Sequence, residues 1–169
     1  MDYFTLFSLP VDYRLNVEQL TQHYQALQKQ YHPDQAVTQS SQQRLHHLQQ
    51  ASLINEAYQV LKHPLQRAQY YLSLQGVAFE SQRTIADQAF LTEQLALHEQ
   101  LAQLRKQQDL SGLLAFEAQI EQKIADYTQQ MYDALDQKNW PIMATQVTKL
   151  QFFSRIQQQI EQAQEHFLQ

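Results

Sequence analysis

Tyr31-His32-Pro33-Asp34 lies between two segments that both read as amphipathic helices, and its reading decides the fold. Upstream, Val17, Leu20, Tyr24, Leu27 and Tyr31 recur every three or four residues, which puts them on one helix face. Downstream, Leu45, Leu48, Ala51, Ile54, Tyr58 and Leu61 repeat that spacing. Pro33 cannot continue the first helix, because it lacks an N–H and its ring collides with the preceding turn. It also moves His32 out of the α region. The pattern predicts a helix over 16–31 with Asn16 as N-cap, a loop over 32–40, and a second helix from Ser40-Ser41 to about His63. On that stiff turn the His32 imidazole and the Asp34 carboxylate are expected to point outward.

Working outward, Phe4, Leu6, Phe7 and Leu9 precede Pro10, a helical turn too short to persist unless packed on something larger. Pro64 suits the first turn of a further short helix. Leu65, Ala68, Leu72 and Leu74 give that helix an apolar side, and Gly76 is its expected stop. Periodicity lapses over 76–84, which reads as a linker after an N-terminal domain of 1–75. Three stripes follow within 85–169: Phe90, Leu97, Leu101 and Leu104; Leu113, Ile120, Ile124, Tyr127 and Met131; Leu150, Phe153, Ile156, Ile160 and Phe167. Breaks at Asp109-Leu110-Ser111-Gly112 and at Asn139-Trp140-Pro141 are short, so an up-down-up three-helix bundle is expected. The fold class is all-α.

Composition agrees. The chain has 169 residues, 43% of them hydrophobic, with only two Gly and four Pro; a helical, globular chain follows. Net charge is −5 and no Lys/Arg run is visible, which argues against nucleic acid as a partner. With no cysteine, disulfides, thiol nucleophiles and thiolate-held zinc or iron–sulfur centres are excluded. No signal segment and no apolar run of about 20 residues occurs, so no membrane contact and a cytoplasmic place are expected. Among seven histidines, His46 and His47 are adjacent and point about 100° apart on a helix. His23, His63, His98 and His166 are isolated. No metal site, catalytic constellation or cofactor site is expected.

His-Pro-Asp between two helices, followed by Ile54-Asn55-Glu56-Ala57-Tyr58-Gln59-Val60-Leu61, His63-Pro64 and Arg67-Ala68, resembles the J-domain of DnaJ-type co-chaperones. The tripeptide alone is a weak signal; the second motif at its proper distance makes it strong. The opening Met1-Asp2-Tyr3-Phe4-Thr5-Leu6-Phe7, the segment Ala89-Phe90-Leu91 and the whole length resemble the HscB family, the J-proteins of iron–sulfur cluster assembly.

That resemblance implies a role for the triad. In J-domains, His-Pro-Asp docks on a DnaK-class ATPase and triggers its hydrolysis, which assigns chaperone binding to His32, Pro33 and Asp34. A carboxylate can take a bidentate bond from a partner arginine. The preceding helix of J-domains offers a basic face; here only His23 and Lys29 supply it, with Gln22, Gln25 and Gln28 filling the rest of the polar side and Gln35 where a base is usual. On the first helix of the bundle, Leu91 and Leu95 lie roughly 100° round from the core line, with Ala96 and Glu99 beyond. This second apolar side could pack under the N-terminal domain or offer a contact surface. The resemblance favours the surface and implies scaffold binding by Leu91, Leu95, Glu99 and Phe152. Phe152 precedes Phe153, so only one of the two is expected to centre on the core stripe. The likeness departs at Thr92 and Ala96, where family members can carry Met and Glu.

The implied function is a co-chaperone without catalysis of its own. It would join an IscU-like scaffold to an HscA-like, DnaK-class chaperone and stimulate that chaperone's ATPase. An alternative is a general J-protein that delivers unfolded chains. Another, from a different class, is a helical hydrolase using His and Glu, whose activity Asp34→Asn would leave intact.

Overall fold

Every described helix but the fourth begins where a side chain takes up a free N–H group of its first turn. In a computed structural model that describes residues 1–32, 34, 40–77 and 87–169, the elements are α1 (Tyr3–Leu6), α2 (Val17–Gln30), α3 (Ser41–Lys62), α4 (Pro64–Leu74), α5 (Gln88–Gln107), α6 (Leu110–Asp136) and α7 (Trp140–Phe167). Asn16 caps α2 by accepting from the Gln19 N–H at 3.1 Å. Ser40 and Gln43 form a reciprocal capping box at α3. Asp87, Asp109 and Asn139 cap α5, α6 and α7. Pro64 opens α4, where its missing N–H is harmless. The structure is all-α, with no strand among the described residues.

The chain divides into two compact units, Met1–Gln75 and Gly76–Gln169. Residues 78–86, most of the expected linker, lie outside the described residues, as do Pro33 and Gln35. In the first unit α2 and α3 run antiparallel. Tyr24 stacks on Tyr58 with ring centres 3.9 Å apart and planes 6° apart, and its hydroxyl donates to Asn55 at 2.8 Å. Phe4, Phe7 and Leu9 fill the end of this hairpin beside Leu20, Ile54 and Leu61. The four-residue α1 thus gains the support it lacks alone.

Several expected core positions are exposed instead. Leu45 and Leu48 are 54% and 62% exposed, and Val17 and Leu74 also face outward. The register gives the reason for Leu45. Tyr58 and Asn55 lie beside Tyr24, and His47 beside Tyr31, so α2 ends level with His47. The turns of α3 before that level have no helix among the described residues to pack on.

In the second unit, Phe90, Leu97 and Leu101 of α5 meet Leu113, Phe116 and Ile120 of α6 and Phe153, Ile156 and Ile160 of α7. Gly112, expected in a break, is inside the first turn of α6. A Cβ there would come within 2.6 Å of Leu104 Cδ2 and closer still to the Asp109 carboxylate. Glycine therefore leaves room for the Leu104 and Asp109 side chains, and it does so from within the helix rather than from a loop. Helices α6 and α7, with 27 and 28 residues, outrun the 20-residue α5. Beyond its reach Leu135, Met143 and Val147 are also buried.

Candidate partner-binding sites

The first site is the corner after α2. Tyr31 caps that helix with φ −108°, and its N–H reaches the Leu27 carbonyl. The chain then leaves the helix at His32. The Asp34 N–H donates to His32 Nδ1 at 3.2 Å, and the same nitrogen stands 3.4 Å from Asp34 Oδ2. These two contacts belong to different protonation states. An unprotonated Nδ1 accepts from the amide; a protonated one donates to the carboxylate. Either way the ring folds back over Asp34, while the Asp34 side chain stays 86% exposed and the His32 side chain 54% exposed. A carboxylate so exposed can receive a planar donor such as a guanidinium.

Of the two expected basic companions, Lys29 is exposed in the last turn of α2, where a cation also complements the helix dipole. His23 is placed differently. It is half-buried, and its Nδ1 makes a hydrogen bond with the Phe7 carbonyl. One ring nitrogen is therefore committed to the α1 segment rather than offered on an open basic face. Beside the corner, Tyr31, His32 and Gln28 face Leu48, Ala51 and Asn55 across a groove of about 360 Å³.

Arg67 entered the sequence reading only through its place in a motif. It is buried, its Nη1 donates to the Leu61 carbonyl at 2.8 Å, and its guanidinium lies 4.9 Å from the Tyr13 ring centre. It satisfies the carbonyl left free near the end of α3 and so holds α4 against the α2–α3 hairpin.

The second site lies between α5 and α7. The backbones of α6 and α7 run close along their length, whereas α5 stands further off α7. The gap is a groove of about 550 Å³, lined by Leu91, Leu95 and His98 from α5 and by Phe152, Arg155 and Ile156 from α7, with four polar residues around them. Leu91 and Leu95 are 46% and 65% exposed, and Glu99 is exposed one turn on. Phe152 is not exposed. It is 95% buried, counting its 5% relative exposure, with ring centres 5.7 Å from Phe90, 5.2 Å from Phe153 and 5.4 Å from His98. The expectation that only one of Phe152 and Phe153 would join the core is corrected, since both do. The gap between α5 and α7 is wide enough for Phe152 to be at once core and groove floor.

A polar clamp holds the far side of α5. Lys149 pairs with Asp87 at 3.6 Å and lies over the rings of Phe90 and Tyr127, 5.4 and 5.2 Å from their centres. Lys123 pairs with Glu93 at 3.2 Å, and the Tyr127 hydroxyl donates to Glu93 at 3.1 Å. Burial first, and then the Glu93 charge, push the Tyr127 hydroxyl up to about 12. His98 and Arg155, which line the groove, were not found from sequence; the only signal was the three-residue step from Phe152 to Arg155. Among the described residues no cluster of three His, Cys, Asp or Glu could hold a metal ion, and no helix is long and apolar enough to cross a membrane.

Comparison with known proteins agrees with both halves. The family model of the DnaJ domain matches residues 2–71, and that of the HSCB C-terminal oligomerisation domain matches residues 86–161. Chaperone HscB from Vibrio cholerae is 38% identical, the match covering 99% of each chain with a TM-score of 0.88. Human co-chaperone protein HscB is 28% identical over 95% of this chain and 81% of that one, with the same TM-score. The Jac1 co-chaperone from Saccharomyces cerevisiae, 22% identical over 95% and 94% with a TM-score of 0.75, shares the fold. An α2–α3 hairpin carrying His32 and Asp34, joined in one chain to a bundle matched from end to end by such a relative, settles the assignment: the chain belongs to the HscB family of J-domain co-chaperones.

Proposed function

We propose that this co-chaperone binds an IscU-like iron–sulfur scaffold protein through Leu91, Leu95, Glu99 and the Phe152 floor of the α5–α7 groove. It presents His32, Pro33 and Asp34, with Lys29 and the partly committed His23 behind them, to an HscA-like chaperone of the DnaK class. Holding both partners on one chain raises their effective concentration for each other. Docking of Asp34 on a partner arginine stimulates ATP hydrolysis in the chaperone, which then closes on the scaffold and favours cluster assembly and transfer. The cluster is cargo; this chain needs no cofactor and performs no catalysis. A cytoplasmic place suits such a role.

The observation that carries the reading is the Asp34 carboxylate, 86% exposed and, among the described residues, paired with the neighbouring His32 imidazole. Charge-assisted bidentate pairing needs a carboxylate in that state. The test is the ATPase turnover of the candidate chaperone with this protein, with and without scaffold. Stimulation that Asp34→Asn removes is expected. Flat turnover in both conditions would defeat the proposal.

A further inference from the structure

The groove between α5 and α7 has a sign as well as a shape. Its lining contains no carboxylate, although the whole chain carries 17 acidic residues against 12 basic ones. The acids on the first turns of α5 are already engaged away from the groove, Asp87 with Lys149 and Glu93 with Lys123 and Tyr127. Arg155, by contrast, is exposed at the groove and makes no ion pair among the described residues. A cation beside an apolar floor of Phe152 and Ile156, in a protein of net charge −5, attracts a partner group of the opposite sign.

We infer that Arg155 is a specificity residue, and that the groove takes a scaffold segment in which an apolar side chain stands next to a carboxylate. The apolar side chain sits against Leu91, Leu95 and Phe152, and the carboxylate meets Arg155. At the other edge of the same surface Glu99 offers a negative charge one turn beyond Leu95. Opposite charges on two edges of an apolar seat admit a partner in one orientation and disfavour the reverse. This inference rests on the groove being the scaffold seat, and the experiment separates the two.

Full-length protein is titrated calorimetrically with the scaffold protein at about 50 mM and about 500 mM salt, because screening at the higher salt shortens the reach of exposed charges to a few ångströms. The variants are Arg155→Glu, Arg155→Gln, Arg155→Lys and the double variant Leu91→Ala/Leu95→Ala. Arg155→Glu is expected to weaken binding about fivefold at low salt, the scale of an exposed charge pair that is reversed rather than removed. Arg155→Gln falls between it and the parent, and Arg155→Lys stays near the parent. The gap closes at high salt, and a Glu→Lys or Asp→Lys change in the scaffold restores binding to Arg155→Glu. If Arg155→Glu binds like the parent while the double leucine variant does not, the groove stands as the seat and the charge assignment falls. If the leucine variant also binds like the parent, or the parent itself does not bind, both readings fall. Arg155 is exposed, so unchanged urea midpoints are expected for its variants; Arg155→Gln decides the matter should Arg155→Glu alone misfold.

Discussion

Replacing Phe152 by alanine separates two roles that the groove places in one side chain. The ring keeps only 5% of its surface in contact with solvent and meets three other rings within 5.7 Å. Its removal leaves a cavity on the α5–α7 seam, with a cost of about 3–5 kcal/mol. Leu91 and Leu95 keep 46% and 65% of their surface exposed. Full burial of a leucine contributes about 2 kcal/mol, so truncating these two costs roughly 1 kcal/mol or less each. The single tryptophan, Trp140, stands at the start of α7 and reports unfolding of the C-terminal unit by fluorescence. With a urea slope of about 2 kcal/mol per molar, Phe152→Ala should lower the midpoint by roughly 2 M. Leu91→Ala/Leu95→Ala should lower it by less than about 1 M on the same slope. Both variants should lose scaffold affinity, measured where each is still folded. A wild-type midpoint for Phe152→Ala would refute the packing described for this seam. Equal loss of stability in the leucine variant would make those leucines core residues and remove them from the surface.

Asp34→Asn should abolish stimulation of a DnaK-class ATPase and leave the thermal midpoint of the chain unchanged, since the carboxylate is 86% exposed; a lowered midpoint would show a structural role instead. Arg67→Met should destabilise the N-terminal unit by about 2–4 kcal/mol in urea unfolding, from an unpaired buried Leu61 carbonyl and the lost contact with the Tyr13 ring. A change within about 0.5 kcal/mol, as for an ordinary surface position, would contradict the burial. Tyr127 is neutral in the folded state up to about 12, whereas an unfolded tyrosine ionises near 10. Its contribution is therefore complete below pH 10 and lost as pH rises toward 12. Urea midpoints of the parent should fall across that window more steeply than those of Tyr127→Phe, and parallel curves would exclude this linkage. Lys149→Met should leave the bundle folded yet weaken scaffold binding by freeing the rotation of α5, a loss that Lys149→Arg restores; unchanged affinity for Lys149→Met would show that the clamp does not set the groove.

Local chemistry determined the elements. Proline at 33 and 64 cannot sit in a helix interior, and Asn16 and Ser40 can satisfy the free N–H groups of a helix start, so the helix bounds of the N-terminal half were legible from short stretches of chain, while the breaks at 109–112 and 139–141 marked where α6 and α7 begin. The all-α class, the His32–Asp34 corner and the second apolar side of α5 followed from the same period. Tertiary structure alone decided which apolar residues found a partner. Leu45 fits the stripe of α3, yet it lies beyond the level where α2 ends, and spacing along one helix carries no information about the length of its neighbour. Phe152 and Phe153 could not both fit a single stripe, yet the distance between α5 and α7 lets both be buried. His23 lay on the polar side of its helix, but a carbonyl sixteen residues away in sequence holds it. Arg155 became a groove residue only when α5 was brought beside α7. Periodicity is a property of one helix, whereas burial, pairing and the sign of a groove belong to two or three helices at once.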